Sequence, residues 1–160
     1  MGINPSLASA AAGRPFARPG NRFWPVLHLA GLTPRRLDPH EDEELLACGI
    51  GVTNLVDRPT RQAAELSREE LRAGGRALEV TVATHGPRLV AMVGLTAWRV
   101  GRDRPRAVMG LQDEAIGGRP VWVLPNPSGL NAHYQLPDLV RLYSGARCFS
   151  ESPRRAGPRA

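Results

Sequence analysis

The sequence has no lysine: all 21 of its basic residues, in a chain of 160, are arginine. Without lysine there is no side-chain amine to form a Schiff base with a sugar or carbonyl substrate. A Walker-type phosphate loop, which requires its lysine, is excluded as well. Long apolar runs are also missing, and none approaches the ~20 residues needed to cross a bilayer. The N-terminus lacks the charged, apolar and small-residue succession of a secretory signal. Cys48 and Cys148 are the only cysteines, far apart and without a C-x-x-C partner. That removes a zinc ribbon and a cysteine-held iron–sulfur cluster from consideration. The two read as reduced thiols acting as small hydrophobes, which places the protein in the cytoplasm. There is no internal repeat.

Fifteen acidic residues oppose the 21 arginines, giving a formal charge of +6. Residues 151–160 hold Arg154, Arg155 and Arg159 against Glu151, a net +2, so +4 remains in the body of the chain. Arginine stays charged in any surroundings, and its planar fork matches phosphate oxygens. The balance points to an anionic partner, nucleic acid before membrane. The length suits one domain that buries roughly 70% of the surface of its unfolded chain. With 42% apolar and 22% charged residues, the composition is that of an ordinary globular protein.

Short apolar runs alternate with helical patterns, the rhythm of an α/β layer fold. Residues 5–20, rich in Ala, Gly, Pro and Arg, read as a long structured loop. Asn21 caps a helix to about Ala30, with Pro25 in its first turn and Gly31 ending it. Asp38, Pro39 and Glu41 start a helix expected to run to Cys48 and stop at Gly49. Residues 51–56 (GVTNLV) read as a β-branched strand, and Ser67 with Glu70 opens a helix toward Thr84, weakened by Gly74 and Gly75. Residues 89–93 (LVAMV) form a continuous apolar run, as a strand buried on both faces requires. A short helix at 96–100, two strands at 114–116 and 121–124, and a helix from Leu136 to about Phe149 complete the pattern. The expected division is one catalytic domain over 1–149 and a disordered basic tail over 150–160.

Ligands in open α/β sheets bind beyond the carboxyl ends of strands. Two unusual loops lie there, residues 2–6 (GINPS) and 125–131 (PNPSGLN). Each alone is ordinary turn chemistry, since Asn-Pro and Asn-Pro-Ser-Gly initiate turns. Leu130, a large apolar side chain at a polar loop tip, is harder to dismiss.

Five blocks together go further: GINPS (2–6), GRPFARPGNRFW (13–24), GVTNLVDRPT (51–60), ELSREELRAGG (65–75) and VLPNPSGLN (123–131). In this order, over about residues 2–145, the chain resembles the mismatch-specific uracil-DNA glycosylase family, bacterial relatives of thymine-DNA glycosylase. The resemblance implies a three-layer α/β/α fold with a short, mostly parallel central sheet. It also implies a monomer that flips a damaged base from duplex DNA and cuts its bond to deoxyribose. The substrate implied is uracil, with related pyrimidine lesions, mispaired with guanine, and no metal or redox cofactor is called for.

The family's water-positioning asparagine maps onto Asn4. An amide orients water through its carbonyl but is no strong base, so the chemistry implied is dissociative: uracil departs as an anion and water follows. Backbone near Ile3 and Phe16 would read the base edge, and the Phe16 ring would stack on the base, although a plain core aromatic is the competing reading. Leu130 falls on the family's wedge, the side chain that fills the stack after flipping. Gly129 and Asn131 would meet the orphaned partner base through backbone groups, and Asn126 would offer the pocket a neutral donor. Ser128 and Arg22 are candidate phosphate contacts, with a plain surface charge equally open for Arg22. Arg14 and Arg18 would flank the pocket loops in the same role. Asn54 either contacts base or sugar or is a structural asparagine. Asp57 and Arg58 read as an internal ion pair, and nothing decides whether His133 touches DNA.

In the family the first motif follows an apolar strand inside the sheet, whereas only Met1 precedes Gly2 here. The expectation is therefore an upstream start, or a lost interior strand whose neighbours are left unpaired. A rival from another class is a non-catalytic lesion-binding protein using the same pocket and wedge. A nucleotide-binding α/β protein would need a glycine-rich phosphate loop, which is lacking.

Overall fold

A computed structural model describes residues 1–152. Its elements are α1 (Leu7–Ala12), α2 (Phe23–Leu29), α3 (Glu44–Ala47), α4 (Arg68–His85), β1 (Val90–Val93), α5 (Leu95–Gly101), β2 (Gly110–Ile116), β3 (Arg119–Leu124) and α6 (Leu136–Glu151). The strands lie in the order β1-β3-β2, with β1 parallel and β2 antiparallel to β3. Gly117 and Gly118 alone turn the β2–β3 hairpin, with φ of 52° and 72°. Two consecutive positive φ values give the turn twist that a two-residue hairpin needs, and glycine adopts them without strain.

Side chains alternate along a strand, so a sheet covered on both faces sends successive residues into different cores. Val90 and Met92 of β1, with Val121 and Val123 of β3, pack with Leu78 and Val82 of α4 and Trp98 of α5. The interleaved Ala91, Trp122 and Leu124 pack on the other side, with Phe23 and Leu27 of α2 and Leu139 and Tyr143 of α6. Helices thus cover both faces, and the fold is three-layered α/β/α. Each fully buried aliphatic side chain contributes roughly 1.5–3 kcal/mol; Val121, Val123 and Leu139 are 0% exposed.

Both capping motifs legible in the sequence form. Ser67 Oγ accepts from the Glu70 N–H, and a Glu70 carboxylate oxygen accepts from the Ser67 N–H, opening α4. Arg58 Nε donates to the same carboxylate at 2.6 Å, which holds the Glu70 carboxyl down at about 2. Arg58 therefore pairs with Glu70, correcting the expected Asp57–Arg58 pair. Asp38 accepts from the His40 N–H as expected, but the helix it opens is one 3₁₀ turn, Pro39–Glu41, separate from α3.

Three further expectations change. The segment 5–20 is not all loop, because Ser6 caps α1 and Gly13 closes it in the left-handed conformation. LASAAA has high helix propensity but no apolar periodicity to announce it. At the other end α6 continues through Ser150 to Glu151, so the domain boundary at 149 falls inside a helix; the rest of the expected tail, 153–160, lies outside the described residues.

Residues 51–56 form no strand of their own, because their partner is only three residues long. The Gly2 N–H donates to Thr53 O at 2.8 Å, and the N–H groups of Leu55 and Val56 donate to Gly2 O and Ile3 O. On its other side Met1 meets β1: its amine donates to Ala91 O at 2.7 Å, and its carbonyl accepts from the Val93 N–H at 2.9 Å. Residues 1–3 thus lie between β1 and the 53–56 segment, and the expected orphaning of β1 is not found at Ala91 or Val93. Burial pushes the Met1 amine down to about 6.

The glycines of α4 have a purpose beyond weakening a helix. A Cβ on Gly74 would lie 1.9 Å from Leu55 O, so α4 reaches the 53–56 segment only through a bare backbone. Glycine to alanine in a helix interior ordinarily stabilises, by up to about 1 kcal/mol. For Gly74→Ala the opposite sign is expected, a destabilisation of about 1–3 kcal/mol from overpacking, measured as a lower denaturant midpoint. An unchanged or raised midpoint would remove this account of Gly74.

Candidate active site

A cavity of about 580 Å³ opens beyond the carboxyl ends of β1 and β3. Ile3, Asn4, Phe16, Asn54, Asn126 and Ser128, six of the residues singled out from sequence, line it. Ile3, Asn4 and Asn54 are brought there by two segments running side by side, Phe16 by the loop before α2, and Asn126 and Ser128 by the loop after β3. Residues 2–6 and 54–60 are bridged in parallel at Gly2–Asn54 and at Ser6–Thr60.

Asn4 is the most tightly oriented of the six. Its Nδ2 donates to Arg58 O at 2.8 Å and to Thr60 Oγ1 at 2.7 Å. Thr60 is 4% exposed, and its hydroxyl donates onward to Gln62 O at 2.8 Å, so it receives the amide hydrogen from Asn4. Both amide hydrogens are thereby committed, which sets the orientation of the carboxamide and leaves Oδ1 as its free end.

Gly2 lies at the meeting of two lining side chains. A Cβ there would fall 2.7 Å from Asn54 Oδ1 and 3.5 Å from Phe16 Cζ. Asn54 thus reaches the cavity from an extended segment rather than from a strand end. The Ile3 side chain packs on the α4–α5 core, where its Cδ1 lies against Gly94, and its carbonyl accepts from the Val56 N–H.

Phe16 packs against the core and also borders the cavity. One ring face stacks on Phe23 with centroids 3.8 Å apart and planes 15° from parallel, and Phe16 also lines the cavity. Its φ of 52° is unusual for a residue with a side chain, and such strain persists only where surroundings enforce it. Ser9 Oγ does so in part, by accepting from the Ala17 N–H at 3.1 Å.

The loop after β3 is held from below. Pro125 and Pro127 are fully buried, and the Tyr143 hydroxyl donates to Pro125 O at 3.2 Å. Burial raises the pKa of that hydroxyl far above the ordinary phenol range. Asn126 Oδ1 accepts from the Ser128 N–H at 3.0 Å, so its amide N–H₂ is the end available as a donor. Leu130 stands 73% exposed at the tip. A Cβ on Gly129 would lie 2.6 Å from Gly20 O, so this loop rests directly on the one before α2.

Three expectations for this face need correction. Arg22 does not line the cavity. Its guanidinium donates to the carbonyls of Pro127 (3.3 Å), Ser128 (2.6 Å), Asn131 (3.0 Å) and Tyr134 (2.7 Å), so it clamps the loop instead of waiting for phosphate. Asn131 is likewise committed inside the loop. Its N–H donates to Ser128 O, its carbonyl accepts from Arg22 and its Nδ2 donates to Asn126 O, so its N–H is spent within the loop rather than held out for an orphaned base. Arg14 is paired with Asp42 at 2.5 Å.

Sequence reasoning passed over Ser9, Thr60 and Arg61, all of which line the cavity. Thr60 closes the 51–60 block, but a hydroxyl two residues after Arg58 carries no signal until Asn4 is brought against it. Among the described residues no cluster of His, Cys, Asp and Glu could hold a metal ion, and no helix is long and apolar enough to cross a membrane.

Across residues 1–146 the sequence matches the profile of the uracil DNA glycosylase superfamily. The chain belongs to that superfamily. Its members are DNA glycosylases, hydrolases of N-glycosidic bonds that act in base-excision repair, and DNA is therefore the macromolecular partner. In this uracil DNA glycosylase superfamily member the cavity gathers Asn4 from the N-terminal loop and Asn126 from the loop after β3.

Proposed function

We propose that this superfamily member is a monofunctional glycosylase that removes uracil, and related pyrimidine lesions, mispaired with guanine in double-stranded DNA. The observation that carries the reading is the fixed carboxamide of Asn4, both of whose hydrogens are spent on Arg58 O and Thr60 Oγ1. A carbonyl oxygen held free at a cavity can orient a water molecule, but an amide cannot take its proton as a strong base. Bond breaking therefore leads. The C1′–N1 bond of deoxyuridine breaks heterolytically, its electron pair stays with uracil, and the oxocarbenium-like sugar is captured by the water on Asn4, whose proton passes to solvent.

Acceleration then rests on stabilising the departing anion by preorganised donors. The Asn126 amide N–H₂ supports that role, its oxygen being engaged by Ser128. The likeness of GINPS (2–6) to the family's first motif adds the Ile3 backbone as a second contact to the base. Phe16, backed by Phe23, supplies a face for the base to stack on, and the exposed Leu130 is the side chain placed to enter the helix stack. The preference for a guanine mispair rests on the likeness of VLPNPSGLN (123–131) to the mismatch-specific family.

A labelled duplex with a single G·U pair tests this. Free uracil should appear over many turnovers, with the strand breaking only after alkali, because no lysine amine is present to run β-elimination. Strand scission without alkali would end the monofunctional assignment. Tight binding without turnover would replace the enzyme by a lesion-binding protein.

A further inference from the structure

Gripping a flipped nucleotide requires cations at the cavity mouth, and the structure redistributes that task. Arg22 is consumed by four carbonyls, Arg14 by Asp42 with Glu43 3.9 Å away, and Arg58 by Glu70 and by Glu65 O. Two lining arginines, Arg18 and Arg61, are exposed and form no ion pair among the described residues. We propose that Arg61 is a DNA-phosphate-binding residue that, with Arg18, holds the backbone beside the flipped nucleotide.

Position supports Arg61 as strongly as charge does. It follows Thr60, which is 4% exposed and tied to the first motif by its N–H to Pro5 O (3.2 Å) and by Oγ1 to Asn4 Nδ2. The guanidinium thus projects from an anchored backbone one residue from the group that sets Asn4, rather than from a free loop tip. Of the acids that line the cavity or lie near Arg61 in the chain, Asp42 pairs with Arg14, Glu70 with Arg58 and Glu65 accepts from the N–H of Gln62, while Glu43, which also lines the cavity, lies 3.9 Å from Arg14. An unneutralised planar fork at a cavity mouth suits a phosphodiester, which it can meet through two parallel N–H donors. Arg18 approaches from a separate loop, so the two can hold different phosphates of one strand.

This inference rests on the glycosylase reading, and one set of measurements separates the two. Affinity for a G·U duplex carrying 2′-fluoro-deoxyuridine, which resists cleavage, is measured from low to high salt for the wild type, Arg61→Gln, Arg18→Gln and Arg88→Gln. Arg88 is exposed at the amino end of β1, away from the cavity, and serves as the charge control. The slope of log affinity against log salt should fall by about one for Arg61→Gln and for Arg18→Gln, with affinity near 0.15 M salt down about fivefold. Arg88→Gln should match the wild type in slope and in uracil release. A wild-type slope in Arg61→Gln, or an equal loss in Arg88→Gln, overturns the assignment. Should the wild type release no uracil yet show the Arg61-dependent slope, the glycosylase reading fails and the phosphate contact stands.

Discussion

Asn4→Ala is expected to lose uracil release by about 100-fold or more while holding a G·U duplex as tightly as the wild type. Among the described residues its side chain makes no hydrogen bond to the loop after β3; its bonds run to Arg58 O and Thr60 Oγ1. Its removal takes away the oxygen proposed to orient water but leaves Phe16, Asn126 and the exposed Leu130 in place. Single-turnover rates and equilibrium binding, measured separately, check this. Weakened binding with an intact rate would move Asn4 from the water to the base. Thr60→Val extends the test: it deletes the acceptor that sets the amide, so turnover should fall, though less than in Asn4→Ala, with affinity again preserved.

Arg22→Ala is expected to cost both stability and activity. One guanidinium serves four carbonyls on residues 127–134, a stretch more than a hundred positions away in the chain. Hydrogen bonds to a charged group contribute roughly 1.5–3 kcal/mol each when isolated. Sharing of one group and entry of water reduce the sum to a loss of about 2–4 kcal/mol. Thermal unfolding reads that loss. Uracil release should fall with it, because Leu130 and Asn126 ride on the clamped loop. Lysine should not rescue, since a single ammonium cannot reach carbonyls spread around a planar fork. Full activity in Arg22→Lys would show that charge alone matters and would return Arg22 to the phosphate role expected from sequence.

The different fates of the arginines show where sequence reasoning reaches and where it stops. A count of charge says how many guanidiniums exist, not which remain unpaired. Arg14, Arg18 and Arg22 lie in one block and look alike, yet among the described residues one is paired with an acid, one has no ion pair, and one is spent on backbone. Arg61 was passed over because it lies outside every recognisable loop motif, and only the side-by-side run of 2–6 with 54–60 carries it to the cavity. The strand expected at 51–56 shows a related limit. β-branched residues announce an extended chain, but a strand also needs a partner of its own length, and residues 1–3 provide only a bridge.

By itself the sequence determined whatever depends on neighbours along the chain. The capping boxes at Asp38 and Ser67 form because cap and third residue are three positions apart. β1 is buried on both faces because its apolar run is unbroken, and the Gly117-Gly118 hairpin follows from two residues that accept positive φ. The missing lysines bear on strand cleavage without any structure. Tertiary structure decided what depends on residues distant in the chain. It set Asn4 by Thr60 and committed Arg22 to the loop of Leu130. It put Asn54 against Phe16 across a bare Gly2, and it left Arg18 and Arg61 at the mouth with no ion pair among the described residues. The physical reason is common to all four. A hydrogen bond or ion pair is fixed by where both partners lie, and each of these partners is brought to its place by a different element of the fold.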